Sequence, residues 1–291
     1  MIHWPVHRLI VNADDFGLTA GVNRAIIELH RAGVLTSTTL MAKAGATENA
    51  IELARSTPSL GVGCHVVLAD GDPVSAPSEI PNLANRAIGS FEPTLLRFLD
   101  RIYRGASAQQ IAYAVEKEAS AQIESLLKRG VRLTHIDTHK HTHMFPRVLR
   151  PLLRAARAVG IRCVRNPFEP EWAVRATPRA GWLRSAEVWA LRRFGPFFKR
   201  ILAEEEFTTT DGTIAVAGTG TMDGAAVRSL LEQMPPGTWE FVTHPGYNDV
   251  DLAKVRTRLR ASRDIEREVL PVIREFTQIA LISFGDLTPG F

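Results

Sequence analysis

Cysteine is scarce in this sequence: Cys64 and Cys163 are the only two in 291 residues, and neither belongs to a CxxC pair. That argues against a disulfide scaffold and a thiolate zinc site, and it fits a reducing compartment. Long apolar runs are missing too. No stretch approaches the roughly 20 apolar residues that span a bilayer. The short run at 9–11 meets polar groups too soon for a signal-peptide core. No GxGxxG follows that run, which disfavours a dinucleotide-binding sheet. Internal repeats and low-complexity segments are absent. The net charge of +4 and pI near 9.3 are mildly basic. Such a balance attracts phosphates or anionic headgroups but falls short of a nucleic-acid signature. The expectation is a cytoplasmic protein that binds no nucleic acid.

What is present is an alternation of short apolar runs and amphipathic helical stretches. Strands are predicted at RLIVNA, TSTTLMA, LGVGCHVVL, VRLTHID, IRCVRN, TWEFVTHPG and IALISF. Helices are predicted over 20–33, 46–56, 107–129, 146–160 and 251–276, the last with Val255, Leu259, Val269 and Ile273 on its apolar stripe. Between about 69 and 92 runs a loop rich in Pro and Gly, long enough to cover an active site or to be a plain surface excursion. Strand-helix alternation implies parallel strands with crossover helices. Ionisable residues stand at the C-terminal ends of several strands: Asp14 and Asp15, His65, Asp137 and His139, Arg165, His244. A (β/α) barrel builds its active site there, so a complete or distorted barrel of parallel strands is the expected fold.

The segment HIDTHKHTH, residues 135–143, packs four of the nine histidines into nine residues. In an extended chain His135, Asp137, His139, His141 and His143 would share one face. Neutral imidazoles are ligands for divalent metals, and a His-x-His pair can place two nitrogens near one ion. NADDFG at 12–17 adds adjacent carboxylates, which repel unless a cation or a proton lies between them. His65 and the THPGY of 243–247 supply further strand-end groups. One Asp and two His with an open position make a catalytic metal site, with a spare Asp and a spare His for proton transfer. Hydrolysis of an amide or ester follows from that set. A metal phosphoesterase or a sugar isomerase uses similar groups, although an isomerase usually wants more carboxylates and a lysine.

Taken together, NADDFG, GCHVVL, HIDTHKHTHMFP and THPGY resemble the YdjC-like carbohydrate deacetylase family, and TSTTLM with GCHVVLADGDPV is similar to its hopanoid-biosynthesis-associated branch. The resemblance covers 9 to about 247. It implies a distorted barrel that removes acetyl groups from N-acetylated amino sugars with one divalent metal ion, zinc or magnesium. It further implies that Asp15, His65 and His139 hold the metal, that Asp14 is the general base steadied by Arg165, and that His244 is the acid-side partner. His141 and His143 would contact substrate or support the site from behind.

One segment departs from a simple sugar enzyme. Residues 173–202 carry seven basic residues against Glu187 alone, interleaved with Trp182, Trp189 and several phenylalanines. Such a stretch can lie in a membrane interface or pack its aromatics on a barrel. The expected organisation is a single catalytic domain, 1–291, with a basic aromatic insertion around 168–206. Trp182 and Trp189 would meet a lipid-linked amino sugar, and peripheral association with the inner membrane surface would follow. Soluble chitooligosaccharides, or a non-catalytic role as a metal- or lipid-binding relative, are the alternatives. A homodimer is compatible with the sequence.

Overall fold

The computed structural model describes residues 7–85, 87–177 and 182–287, together with no side-chain detail for 182–185 and 187. Seven strands, all parallel to their neighbours, form one curled sheet. They are β1 (His7–Phe16), β2 (Ser37–Leu40), β3 (Gly61–Val66), β4 (His135–Thr138), β5 (Gly212–Ile214), β6 (Gly237–Thr243) and β7 (Ala280–Leu281). The order is β4-β3-β2-β1-β6-β5, with β7 beside the start of β1. Two isolated bridges carry the pairing further. Ile136 of β4 meets Val164, and Cys163 meets Thr208, a few residues before β5. The sheet therefore curls most of the way round, as the expected distorted barrel does.

β1 lies at the centre because its run RLIVNA is apolar on both faces, as a doubly covered parallel strand must be. Leu9, Ile10, Val11 and Ala13 are fully buried. The strand ends in a break of regularity: its register with β2 slips between Ala13 and Phe16, and Asp15 sits at φ 65°. Gly17, at φ 100°, then turns the chain, its N–H donating to Asn23 Oδ1. Thr19 caps the following helix Ala20–Arg31.

The outer layer holds Thr47–Ser56, Leu95–Arg104, Ala108–Lys128, Pro146–Ala158 and Gly224–Glu232. Ala108–Lys128 opens with a complete capping box between Ser107 and Gln110. Its buried Glu118 accepts the N–H groups of Val74 and Ser75, and Gln122 bonds both backbone groups of Val67. The loop 69–92 is thus anchored from beneath. Its neck is closed by Asp70 N–H to Glu92 C=O. Asp70 also binds Lys140, beside His139, and Arg256, so the loop is strapped to two other segments at the sheet's C-terminal end.

Three expectations need correction. The predicted strand at IRCVRN is reduced to isolated bridges at Cys163 and Val164. The predicted helix 251–276 breaks into Leu252–Lys254, Ser262–Val269 and Leu270–Glu275. HIDTHKHTH is extended only over His135–Thr138, because Lys140 and His141 take φ 59° and 52° and fold His139–Met144 into a tight turn. Its five alternate side chains therefore do not share a face. Within the strand His135 and Asp137 keep a common face, but His135 stacks its ring on Phe284, with centroids 3.9 Å apart. Gly63 makes the room: a Cβ there would lie 2.6 Å from that ring. Finally, the helices Leu95–Arg104 and Gly224–Glu232 and the short strand β5 had no counterpart in the sequence prediction.

Candidate active site

Three ligand atoms converge at the C-terminal end of the sheet. His65 Nε2 lies 3.2 Å from His139 Nδ1, and Asp15 Oδ1 lies 3.7 Å from the first and 3.4 Å from the second. Metal bonds of about 2.1 Å give ligand-to-ligand edges of roughly 3.4 Å in a tetrahedron and roughly 3.0 Å in an octahedron. The triangle matches such edges. Asp15 Oδ1 is buried and has no hydrogen-bond partner. Burying a carboxylate oxygen unpaired is costly, and a cation in the triangle would remove that cost. The donor set therefore fits one divalent ion.

The bulge in β1 explains how adjacent residues serve one centre. Regular strand neighbours point to opposite faces. Here Asp15 reaches the two histidines, while Asp14 turns to Arg165, whose Nη1 and Nη2 donate to its two oxygens at 2.8 and 2.6 Å. Arg165 also meets Asp137 Oδ2 at 2.5 Å and donates from Nε to Glu240 Oε1 at 2.8 Å. It is fully buried, as are Asp137 and Glu240. Asp137 Oδ1 lies 2.7 Å from His65 Nδ1. That pairing puts the proton on Nδ1 and turns the Nε2 lone pair toward the triangle, the usual support for a metal-binding imidazole. Thr39 Oγ1 lies within 3.4 Å of Asp14, His65 and Asp137.

One guanidinium and three carboxylates set the charges. Burial would raise the Asp14 carboxyl, but Arg165, His65 and His244 outweigh it and hold it well below the usual carboxylate range. Asp137 is likewise lowered against its burial, by Arg165 and His65. Glu240 is the third claimant, and burial, helped by Asp14 and Asp137, pushes it up to about 7 despite Arg165. Burial opposes a charged His65, yet Asp137, Asp14 and Asp15 together raise it to about 9. In that charged form Nε2 also carries a proton, which a metal entering the triangle must displace while Nδ1–H stays on Asp137.

His244 stands on the rim, its Nε2 3.8 Å from Asp14 Oδ2. Its backbone N–H and the Thr243 hydroxyl both donate to Glu266 Oε2, at 2.6 and 2.7 Å. His139 and His244 are the partly exposed members of the group, their side chains 21% and 14% exposed.

A family model described as YdjC-like protein matches residues 8–275. The chain belongs to the YdjC-like family. A carbohydrate deacetylase of Oceanobacillus iheyensis is 32% identical over 263 residues, covering 90% of this chain and 95% of that one. Another, from Halalkalibacterium halodurans, is 39% identical over 72% of this chain and 83% of its own length. Among solved structures, an Enterococcus faecalis protein provisionally described as a cellobiose-phosphate cleavage protein matches with a TM-score of 0.76. It is 25% identical, over 97% of this chain and 99% of the other.

Asp14, Asp15, His65, His139, Arg165 and His244 are brought together at the C-terminal end of the sheet. His143 is not in it but behind it. Fully buried, it has Nδ1 2.7 Å from Thr138 Oγ1 and Nε2 3.1 Å from the Arg165 carbonyl oxygen. It pins the turn to the arginine's segment. His141 is half-buried with an unpartnered Nδ1, and its ring lies beside that of His143. Trp189 is 73% exposed and lines a surface hollow with Glu171, Val174 and Arg192, none of them a member of the cluster. The Trp182 side chain lies outside the described residues. Sequence reasoning missed Glu240, Thr39, Arg263 and Glu266.

The raised Glu240 value has a measurable consequence. The unfolded chain releases this proton near 4.5 and the folded protein near 7, so the contribution of Glu240 to stability falls as pH rises through that window and then levels. In urea unfolding with chelator present, wild-type stability relative to Glu240→Gln should drop from pH 4.5 to 7 by at most about 1.4 kcal/mol per unit. A difference that is flat or rises across the window contradicts this charge arrangement.

Proposed function

We propose that this chain is a metal-dependent deacetylase that hydrolyses the N-acetyl group of an amino sugar. The observation that carries the reading is the triangle of Asp15 Oδ1, His65 Nε2 and His139 Nδ1 around an otherwise unpaired buried oxygen. The carbohydrate deacetylases related to this chain support the substrate class. Zinc suits the two imidazoles by ligand softness, and magnesium would need extra waters.

Asp15, His65 and His139 would hold the cation. Bound there, a divalent ion supplies Lewis acidity, polarising an amide carbonyl and lowering the pKa of a water toward about 7. Asp14 accepts the proton of the attacking water. Arg165 keeps this carboxylate ionised and fixes its plane through two parallel hydrogen bonds, so it is a mild base that is always ready. His244 delivers a proton to the sugar nitrogen as the carbon–nitrogen bond breaks. Glu266 holds the His244 backbone so that the ring stays next to Asp14. Amine and acetate are the products.

The lipid-linked form of the substrate, an acetylglucosaminyl hopanoid, rests on the segment 168–206, read as an insertion in the single catalytic domain. Its helix Gly195–Glu205 packs inward, with Phe198 buried against Phe168, and Glu205 pairs with Arg150 and Arg157. Trp189 and Arg193, Lys199 and Arg200 are left facing out. A basic, aromatic outer surface of this kind suits an anionic membrane. None of the described helices is long and apolar enough to cross one.

Acetate release from N-acetylglucosamine conjugates should stop on chelation and return with added zinc or magnesium. Asp14→Asn, with its fold checked by circular dichroism, should lose activity by about 10²–10⁴-fold. Chelator-resistant turnover would remove the metal from the mechanism, and an active Asn variant would remove the base. For the membrane reading, Arg192→Glu with Arg193→Glu should weaken binding to anionic vesicles and leave hydrolysis of a soluble conjugate intact. Unchanged vesicle binding would leave soluble oligosaccharides as the better substrate class.

A further inference from the structure

Arg263 is almost completely buried, at 1% exposure, yet it has a single hydrogen-bond partner among the described side chains. Its Nη2 donates to Asp15 Oδ2, whereas Nε and Nη1 have none. Burying a guanidinium for one contact is expensive. The contact is also closely built. The Arg263 carbonyl accepts the Gly246 N–H at 3.2 Å, and a Cβ on Gly246 would come within 3.1 Å of the arginine's Cδ. The loop after β6 thus makes space for the arginine stem and aims it at Asp15.

Asp15 needs such aim. A carboxylate turns easily about its last torsion, which is broad and two-fold, so nothing intrinsic decides whether one oxygen or both face a cation. We infer that Arg263 is a positioning residue that makes Asp15 a one-oxygen ligand: the guanidinium occupies Oδ2 and leaves Oδ1 alone in the triangle. The inference rests on the metal reading above and deepens it. With one ligand oxygen from Asp15 and two imidazoles, the protein supplies three donors and leaves open the positions that an amide and a water require. A carboxylate gripping with both oxygens would close one of them. The rival account is that Arg263 only balances the Asp15 charge. In that case it repels an incoming dication, and its loss tightens metal binding without changing the ligand count.

The test uses the full chain stripped with chelator and then titrated with Co2+, whose visible bands weaken as coordination number rises. Wild-type protein that takes up no cobalt contradicts the metal reading itself, a failure separate from that of the inference. Arg263→Met is expected to lower cobalt affinity about tenfold or more and to weaken the bands. Arg263→Lys, which keeps an N–H donor, restores both. A Met variant with wild-type bands and equal or higher affinity overturns the inference. If circular dichroism shows that Met unfolds the protein, Arg263→Gln takes its place. Uncharged but still a donor, it should keep wild-type bands, and altered bands or tighter binding overturn the inference.

Discussion

The buried guanidinium of Arg165 is the contact on which the rest of the site depends. It joins Asp14 of β1 and Glu240 of the neighbouring strand β6 to Asp137 of β4, which two further strands separate from β1 and which reaches them because the sheet curls. A charge this deep is costly unless well paired, and removing one partner of such a pair typically costs about 3–5 kcal/mol. The network is therefore a constraint on the barrel as well as on the chemistry. It holds Asp14 ionised, and through Asp137 it sets the tautomer of His65. His143 ties the same segment to the turn that carries His139. Asp14, His65 and the turn share one anchor.

A second brace comes from the helix Ser262–Val269. Arg263 and Glu266, three residues apart and so on one helical face, reach Asp15 and the His244 backbone respectively. One short element thus orients Asp15 and His244 together. The loop 69–92 meets this region through Asp70, which binds Lys140 and Arg256. That loop is a strapped part of the active-site rim, held by Glu118 and Gln122 from below.

Much of this was legible in the sequence because strand ends announce themselves: an apolar run followed at once by Asp, His or Arg is hard to explain otherwise. Asp14, Asp15, His65, His139, Arg165 and His244 were all found that way. Arg263 and Glu266 were not, since SRDIEREV reads like any solvated helix and only tertiary packing buries those two residues. Glu240 is one acid inside an apolar strand, with no pattern to mark it as a partner of Arg165. The turn at His139–Met144 was invisible for a local reason. Lys140 and His141 adopt left-handed backbone, which residue types other than Gly, Asn and Asp seldom signal. The helix Leu95–Arg104 did carry a sign, a Thr94 cap before an apolar stripe, and it went unread.

On the proposed reading, three side chains from β1, β3 and the turn after β4 grip one cation. Crystals of zinc-loaded protein, measured at the zinc absorption edge, test it most directly. One strong anomalous peak is expected, enclosed by Asp15 Oδ1, His65 Nε2 and His139 Nδ1. A peak among Asp14, His65 and Asp137, the other such group among the described residues, would contradict it, as would no peak at all.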